Sequence, residues 1–229
     1  MNIKGLQKTT LLDFPGKVAC TVFTGGCNFR CPFCHNASLV THQEDAPVFS
    51  EKEVLSYIEK RKNILDGVCI TGGEPLLQTD IEAFCQSVHN FGLLVKLDTN
   101  GALSERLNRI LEKKLVDYVA MDIKNSKEEY ARTCGLPSFP SGVEDSVERL
   151  LHADIPYEFR TTVVREFHTE ESIEALVKWI KGAKQYFLQG FTDSGDLIAE
   201  GLSAYSAEEM NTLLSVARRY IPHTELRGI

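Results

Sequence analysis

No stretch of this 229-residue chain approaches the roughly 18 consecutive apolar residues that a membrane span needs. Val18–Phe23 is too short for the apolar core of a secretory signal, so the cytoplasm is the expected compartment. Basic excess is missing too. The formal charge is −7, which argues against a general nucleic-acid-binding surface. The local runs Lys60-Arg61-Lys62 and Lys113-Lys114 read as solvated helix faces. No linker, low-complexity tract or internal repeat divides the chain, so one domain over residues 1–229 is expected. No Ser-His-Asp constellation is visible. His42, His89, His152, His168 and His223 are scattered without metal-ligand spacing, and only His168 lies where it can reach a strand-end site. Seven cysteines at irregular spacing exclude a simple disulfide framework and fit a reducing compartment.

Three of those cysteines are not scattered. Cys27, Cys31 and Cys34 lie in the run G-G-C-N-F-R-C-P-F-C-H-N, spaced C-x3-C-x2-C, with no fourth cysteine near. Four thiolates usually hold a cubane iron–sulfur cluster. Three leave one iron with an open position, and an open position is what lets a metal bind substrate. Zinc held by the three cysteines and His35 is the alternative, made awkward because His35 directly follows Cys34. Cys20, Cys69 and Cys85 read as core thiols, and Cys134 stands isolated.

Strand candidates are Val18–Thr24, Val68–Thr71, Leu93–Asp98, Tyr118–Ile123, Tyr157–Val164 and Tyr186–Gln189. Most are near-continuous apolar runs, as in parallel strands covered on both faces. Between them lie helical patterns at Glu51–Leu65, Asp80–Asn90, Ser104–Lys114, Val143–His152, Glu170–Lys181 and Ala207–Tyr220. Ser50 is placed to cap the first, with Glu53 at the capping-box position. The alternation predicts an α/β fold with a parallel sheet, either doubly wound or a barrel short of eight units. On this reading the cysteine loop, Gly72-Gly73-Glu74-Pro75, Asp98-Thr99-Asn100-Gly101 and Asp122-Ile123-Lys124 all fall at strand ends of one polarity, where α/β enzymes build their sites.

Each motif has two readings. Gly72 and Gly73 let backbone approach a ligand, or form a tight strand-to-helix turn. Asp98 and Asp122, ending apolar strands, each need a cation, a donor or a ligand, because an unpaired carboxylate there is costly; helix capping is the plainer use of Asp98. Lys124 meets a ligand or snorkels to the surface. Arg160, inside a strand candidate, faces a ligand or pairs with a structural carboxylate.

With its following His35-Asn36, the cysteine loop resembles that of the radical S-adenosylmethionine enzymes, and more narrowly that of the activating enzymes of glycyl-radical enzymes. Leu12-Asp13-Phe14-Pro15-Gly16-Lys17 resembles the anaerobic ribonucleoside-triphosphate reductase activating proteins. The likeness is strongest from Leu11 to Asn36 and weak beyond Val164. It implies a partial (β/α)6 TIM-like barrel with parallel strands. It implies a [4Fe-4S] cluster on Cys27, Cys31 and Cys34, and S-adenosylmethionine as cofactor. Gly72, Gly73 and Glu74 then resemble the motif at the methionine amino group, with Glu74 orienting rather than acting as an acid. Lys124 resembles the lysine at the carboxylate, and His35 and Asn36 the segment at the adenine. Asp98, Thr99 and Asp122 would hold a monovalent cation, with Asp122 also near the ribose.

The activity so implied is reductive cleavage of S-adenosylmethionine and formation of a glycyl radical on a partner. The partner would be anaerobic ribonucleotide reductase, and the electron donor reduced flavodoxin or ferredoxin. Two other readings remain open. One is a radical enzyme with a small substrate, such as a 7-carboxy-7-deazaguanine synthase, which shares the Gly72–Gln78 pattern. The other is a non-enzymatic electron carrier or zinc module.

Overall fold

The computed structural model describes residues 1–42, 44 and 47–229. They form two compact units. The first comprises Met1–Asn28 and Ser38–Ala120, the second Phe29–Ala37 and Met121–Ile229.

In the first unit β1 (Ile3–Thr10) pairs antiparallel with β2 (Ala19–Thr24). Parallel pairings carry the sheet from β2 to β3 (Gly67–Gly72) and on to β4 (Leu94–Thr99). Helix α1 (Ala37–Thr41) follows the cysteine loop. Helices α2 (Glu51–Arg61), α3 (Ile81–Asn90) and α4 (Ser104–Glu112) join the strands. Their apolar stripes close a core with the strand interiors: Val54 and Ile58, Ile81, Phe84 and Val88, Leu107 and Ile110 are buried, as are Val22, Val68, Ile70, Val95 and Leu97. The Ser50 capping box forms: the Ser50 hydroxyl accepts from the Glu53 amide at 3.2 Å, and the Ser50 amide donates to Glu53 at 3.1 Å.

At the N-terminal ends of β3 and β4 sits Phe14. Its ring is buried and lies 6.0 Å, centroid to centroid, from Tyr118. A side chain on Gly67 would come within 2.8 Å of both the Phe14 ring and the Leu94 carbonyl. Leu11 and Leu12 beside it stay exposed.

β5 (Tyr118–Asp122) runs out of the first unit into the second. There α5 (Tyr130–Cys134), α6 (Ser141–Leu151), β6 (Tyr157–Val163), α7 (Glu170–Trp179), β7 (Tyr186–Gly190), α8 (Ala207–Arg218) and β8 (Thr224–Arg227) follow. β6, β7 and β8 pair in parallel and in chain order. Val147, Leu150, Phe159, Ile173, Leu176, Val177, Tyr186, Leu188 and Leu213 fill the core of this unit.

Among the described residues eight strands form where six were expected. β1 escapes notice because its pairing is antiparallel and its outward residues, Lys8 among them, interrupt the apolar run. β8 has only four residues, two of them charged. The first helix stops at Arg61 rather than Leu65, although Leu65 is still buried.

Candidate active site

The first unit contributes the ends of β2, β3 and β4. The Gly73 amide donates to the Thr24 carbonyl, and the Glu74 amide to the Gly26 carbonyl, each at 2.8 Å. Backbone contact this close explains the paired glycines. A Cβ on Gly73 would lie 2.0 Å from the Gly26 oxygen, and one on Gly72, whose φ is +109°, 2.5 Å from the Thr24 backbone. The glycines therefore seat the start of the cysteine loop directly on the end of β3.

Glu74 is completely buried. One carboxylate oxygen accepts from the Leu76 amide at 3.0 Å and the Thr99 hydroxyl at 2.8 Å; the other accepts from the Asn100 amide at 2.7 Å. A carboxylate so enclosed is a structural tie between two loops. Asn100 then reaches on: its side-chain amide donates to Asn28 at 2.8 Å and lies 3.8 Å from the Cys27 sulfur. Asn100 is a site residue that sequence reading passed over, although it stands in the flagged Asp98–Gly101 run.

Asp98 does not cap a helix; the N-cap of α4 is Leu103. Its carboxylate pairs with the buried Lys96 ammonium, which also lies 5.9 Å over the Tyr118 ring. Lys96 and Asp98 are two apart on one strand and so share a face. The positive charge beside Asp98 is thus lysine. Among the described residues no three His, Cys, Asp or Glu side chains gather as a single metal ion requires.

The second unit holds Cys31, Cys34, His35 and Asn36 in its Phe29–Ala37 segment, together with Asp122, Lys124 and Arg160. Cys31 is buried and Cys34 partly exposed; neither is in a disulfide, nor is Cys27. Hydrogen bonding from the Cys134 thiol, helped by the Lys124 charge, outweighs burial and draws the Cys31 pKa down. Burial pushes that of Cys34 up, against the Asn36 backbone amide that donates to its sulfur. The His35 ring lies 5.8 Å from Phe191, and burial, then the nearby Lys124 charge, lowers its pKa.

Asp122 ends β5 between two cations. Lys124 Nζ is 3.0 Å from one oxygen and Arg160 Nε 2.9 Å from the other. Burial alone would raise its pKa; Arg160 and Lys124 overcome that and hold it well below the usual carboxylate range. Burial likewise opposes charge on Lys124, but the Asp122 and Cys31 charges keep it firmly protonated. Arg160 thus has a structural carboxylate partner. Glu158, two residues back on β6 and 4.0 Å from Arg160, is itself gripped by Arg227 at 2.8 and 3.0 Å.

His168 is a strut beneath this group. It is fully buried, its Nε2–H donates to the Lys124 carbonyl at 2.8 Å, and Nδ1 accepts from the Val164 amide at 3.0 Å. Nδ1 also lies 3.1 Å from the Val164 carbonyl; accepting from the amide requires the neutral ring, which burial favours by lowering the pKa from 6.5. A base whose folded pKa is depressed contributes full stability above its unfolded pKa and loses it as pH falls toward the folded one. Unfolding free energy should therefore decline as pH drops below 6.5. In His168→Gln this component of the decline should vanish, at a cost of about 1–3 kcal/mol at neutral pH. Urea titrations of both proteins between neutral and mildly acidic pH measure the two slopes; equal slopes would exclude the assignment.

The thiol set fits an iron–sulfur cubane. None of the three sulfurs is in a disulfide, and each would hold its own iron, so convergence on one ion is not needed.

Comparison with known proteins agrees. The family model described as the radical SAM superfamily matches residues 21–180. A Methanocaldococcus jannaschii protein is 28% identical over 99% of this chain and 96% of its own length; it is named as a glycyl-radical enzyme activating enzyme, an activity its name marks as provisional. A 7-carboxy-7-deazaguanine synthase of Thermoplasma acidophilum is 35% identical over 45% of this chain and 46% of its own. The crystal structure of SuiB from Streptococcus suis superposes with a TM-score of 0.71 at 15% identity, covering 89% of this chain and 47% of that one. The chain thus spans nearly the whole of the first relative and about half the length of the other two. The expected fold, mostly parallel α/β of the radical SAM type, is the one found.

Proposed function

Because the chain belongs to the radical SAM superfamily, we propose that it is a glycyl-radical enzyme activating enzyme, with anaerobic ribonucleoside-triphosphate reductase as partner. The observation that carries this reading is the end-to-end match to the M. jannaschii protein of that name. The Leu12–Lys17 resemblance points the same way.

In this reading Cys27, Cys31 and Cys34 hold a [4Fe-4S] cluster. Such a cluster would supply the electron for reductive cleavage of S-adenosylmethionine, with the electron drawn from an external reduced donor. The chain's own residues do the positioning. Gly72 and Gly73 offer backbone to the methionine amino group, and Glu74 fixes the two loops that carry it. Lys124, held by Asp122, binds the carboxylate as a fixed ammonium. His35 and Asn36 meet the adenine, with His35 neutral against Phe191. Asp122 and Arg160, paired at 2.9 Å, keep the residues around Lys124 charged and ordered. A monovalent cation at Asp98, Thr99 and Asp122 belongs to this reading only in so far as added cations stimulate cleavage.

The test mixes reconstituted protein, reduced flavodoxin or ferredoxin and S-adenosylmethionine with the candidate reductase under anaerobic conditions. Electron paramagnetic resonance should then report a glycyl radical. The Thermoplasma acidophilum relative favours a second reading, chemistry on a small pterin-like substrate. Cleavage of S-adenosylmethionine coupled to turnover of that substrate, with no glycyl radical, would replace the first reading with the second.

A further inference from the structure

A free monovalent cation does not fit the side chains at Asp98, Thr99 and Asp122, because each is already engaged within its own unit. Asp98 is paired with the Lys96 ammonium. The Thr99 hydroxyl donates to Glu74 at 2.8 Å and accepts from the Gly101 amide at 3.1 Å. Asp122 has Lys124 at 3.0 Å from one oxygen and Arg160 at 2.9 Å from the other.

Of these cations, Lys96 is the one enclosed within the first unit's sheet. It stands opposite Cys69 in the parallel pairing of β3 and β4, on the same strand face as Asp98. Its side chain is 2% exposed, and that of Asp98 14%. Nζ lies 3.9 Å from the Cys69 sulfur and 5.9 Å over the Tyr118 ring. The Cys69 sulfur in turn lies 3.8 Å from the Asp98 oxygen that meets the ammonium. A charge this deep is costly unless matched, and Asp98 is what matches it.

We propose that Lys96 is a tethered cation: its ammonium holds the place at Asp98 that a free monovalent ion would take, so the chain needs no such ion. Its bearing on S-adenosylmethionine rests on the function proposed above; the pairing itself does not. An ammonium on a four-carbon stem is a compact point charge, close in kind to potassium or sodium. Lys96→Met keeps much of the stem and deletes the charge. The place beside Asp98 should then accept an ion from solution.

The test compares wild type, Lys96→Met and Lys96→Met/Asp98→Asn as full chains in potassium, sodium or choline chloride of equal ionic strength. Thermal denaturation without cluster is the first readout. Wild type should melt at one temperature in all three salts. Lys96→Met should melt roughly 6–20 °C lower in choline chloride. Potassium or sodium at ten times its dissociation constant should return about 3–6 °C of that loss. The double variant, with neither charge, should lose this response and gauges any general effect of the salts. The second readout is 5′-deoxyadenosine formed by the loaded wild type, which should be equal in the three salts. A wild type that melts higher or cleaves faster with potassium or sodium than with choline would overturn the tethered cation. So would a Lys96→Met chain that is as stable as wild type or indifferent to the ion. If Lys96→Met folds in no salt, folding regained by the double variant supports the pairing, and a double variant that also fails to fold counts against it. A wild type that takes up no cluster or cleaves nothing would remove the function proposed above and leave the melting results standing.

Discussion

Cys31→Ala is expected to leave the chain without a stable [4Fe-4S] cluster and to reduce cleavage of S-adenosylmethionine to background. The reasoning is local. Cys31 is buried, its carbonyl accepts from the Cys34 amide at 3.1 Å, and its thiol pKa is drawn down where that of Cys34 is pushed up. An alanine there removes a sulfur ligand for iron and leaves an apolar wall in its place. Iron and sulfide per chain after reconstitution, with 5′-deoxyadenosine as cleavage product, measure the outcome. Full cleavage by the variant would defeat the assignment of these cysteines. Cys20→Ala and Cys85→Ala are the controls. Burial pushes both thiols up to about 12, so they remain protonated core groups, and their loss should leave iron content unchanged.

The second large effect is expected at Glu74. Replacing it with alanine strips the acceptor from the Leu76 amide, the Thr99 hydroxyl and the Asn100 amide at once, all in a place water does not reach. Leaving buried donors unmatched costs about 3–5 kcal/mol in total, part of it recovered by relaxation. For a protein of this size that lowers Tm by roughly 6–20 °C. Glu74→Gln keeps the shape but turns an amide toward amide donors, and should cost about 1–3 kcal/mol. Circular dichroism melts of the apo proteins rank the three. An alanine variant melting with wild type would mean that the carboxylate is not the tie between the two strand ends. Activity should fall along with stability, because the same tie steadies Asn28 and Cys27 through Asn100.

Much of this was legible in advance, for a reason that also marks where legibility stops. The runs of β2, β3, β5 and β7 are nearly continuous in apolar residues, so they stand out against the helical periodicity around them, while charged residues break the other two, Lys96 and Asp98 in β4 and Glu158 and Arg160 in β6. β1 is exposed over Gln7, Lys8 and Thr9 and β8 is a four-residue edge, and neither pattern separates from loop by composition alone. At the site, the residue types were readable but their partners only where they lie close in sequence. Lys96 with Asp98, Asp122 with Lys124 and Glu158 with Arg160 are two-apart pairs on or just past strands, and the strand period places such pairs on one face. Cys134 is different. It approaches Cys31 across more than a hundred residues, and nothing in a lone Thr-Cys-Gly run announces that. His168 was noticed for its position, but its work, holding the Lys124 carbonyl, is a backbone contact that no side-chain pattern encodes.

Phe14 bears on how the Leu12–Lys17 stretch should be weighed. Its ring plugs the foot of β3 and β4, at the opposite end of those strands from Gly72 and Thr99. Within the stretch Phe14 seals the scaffold, while Leu12 stays exposed. Phe14→Ala should therefore lower heat tolerance and leave target choice where it was.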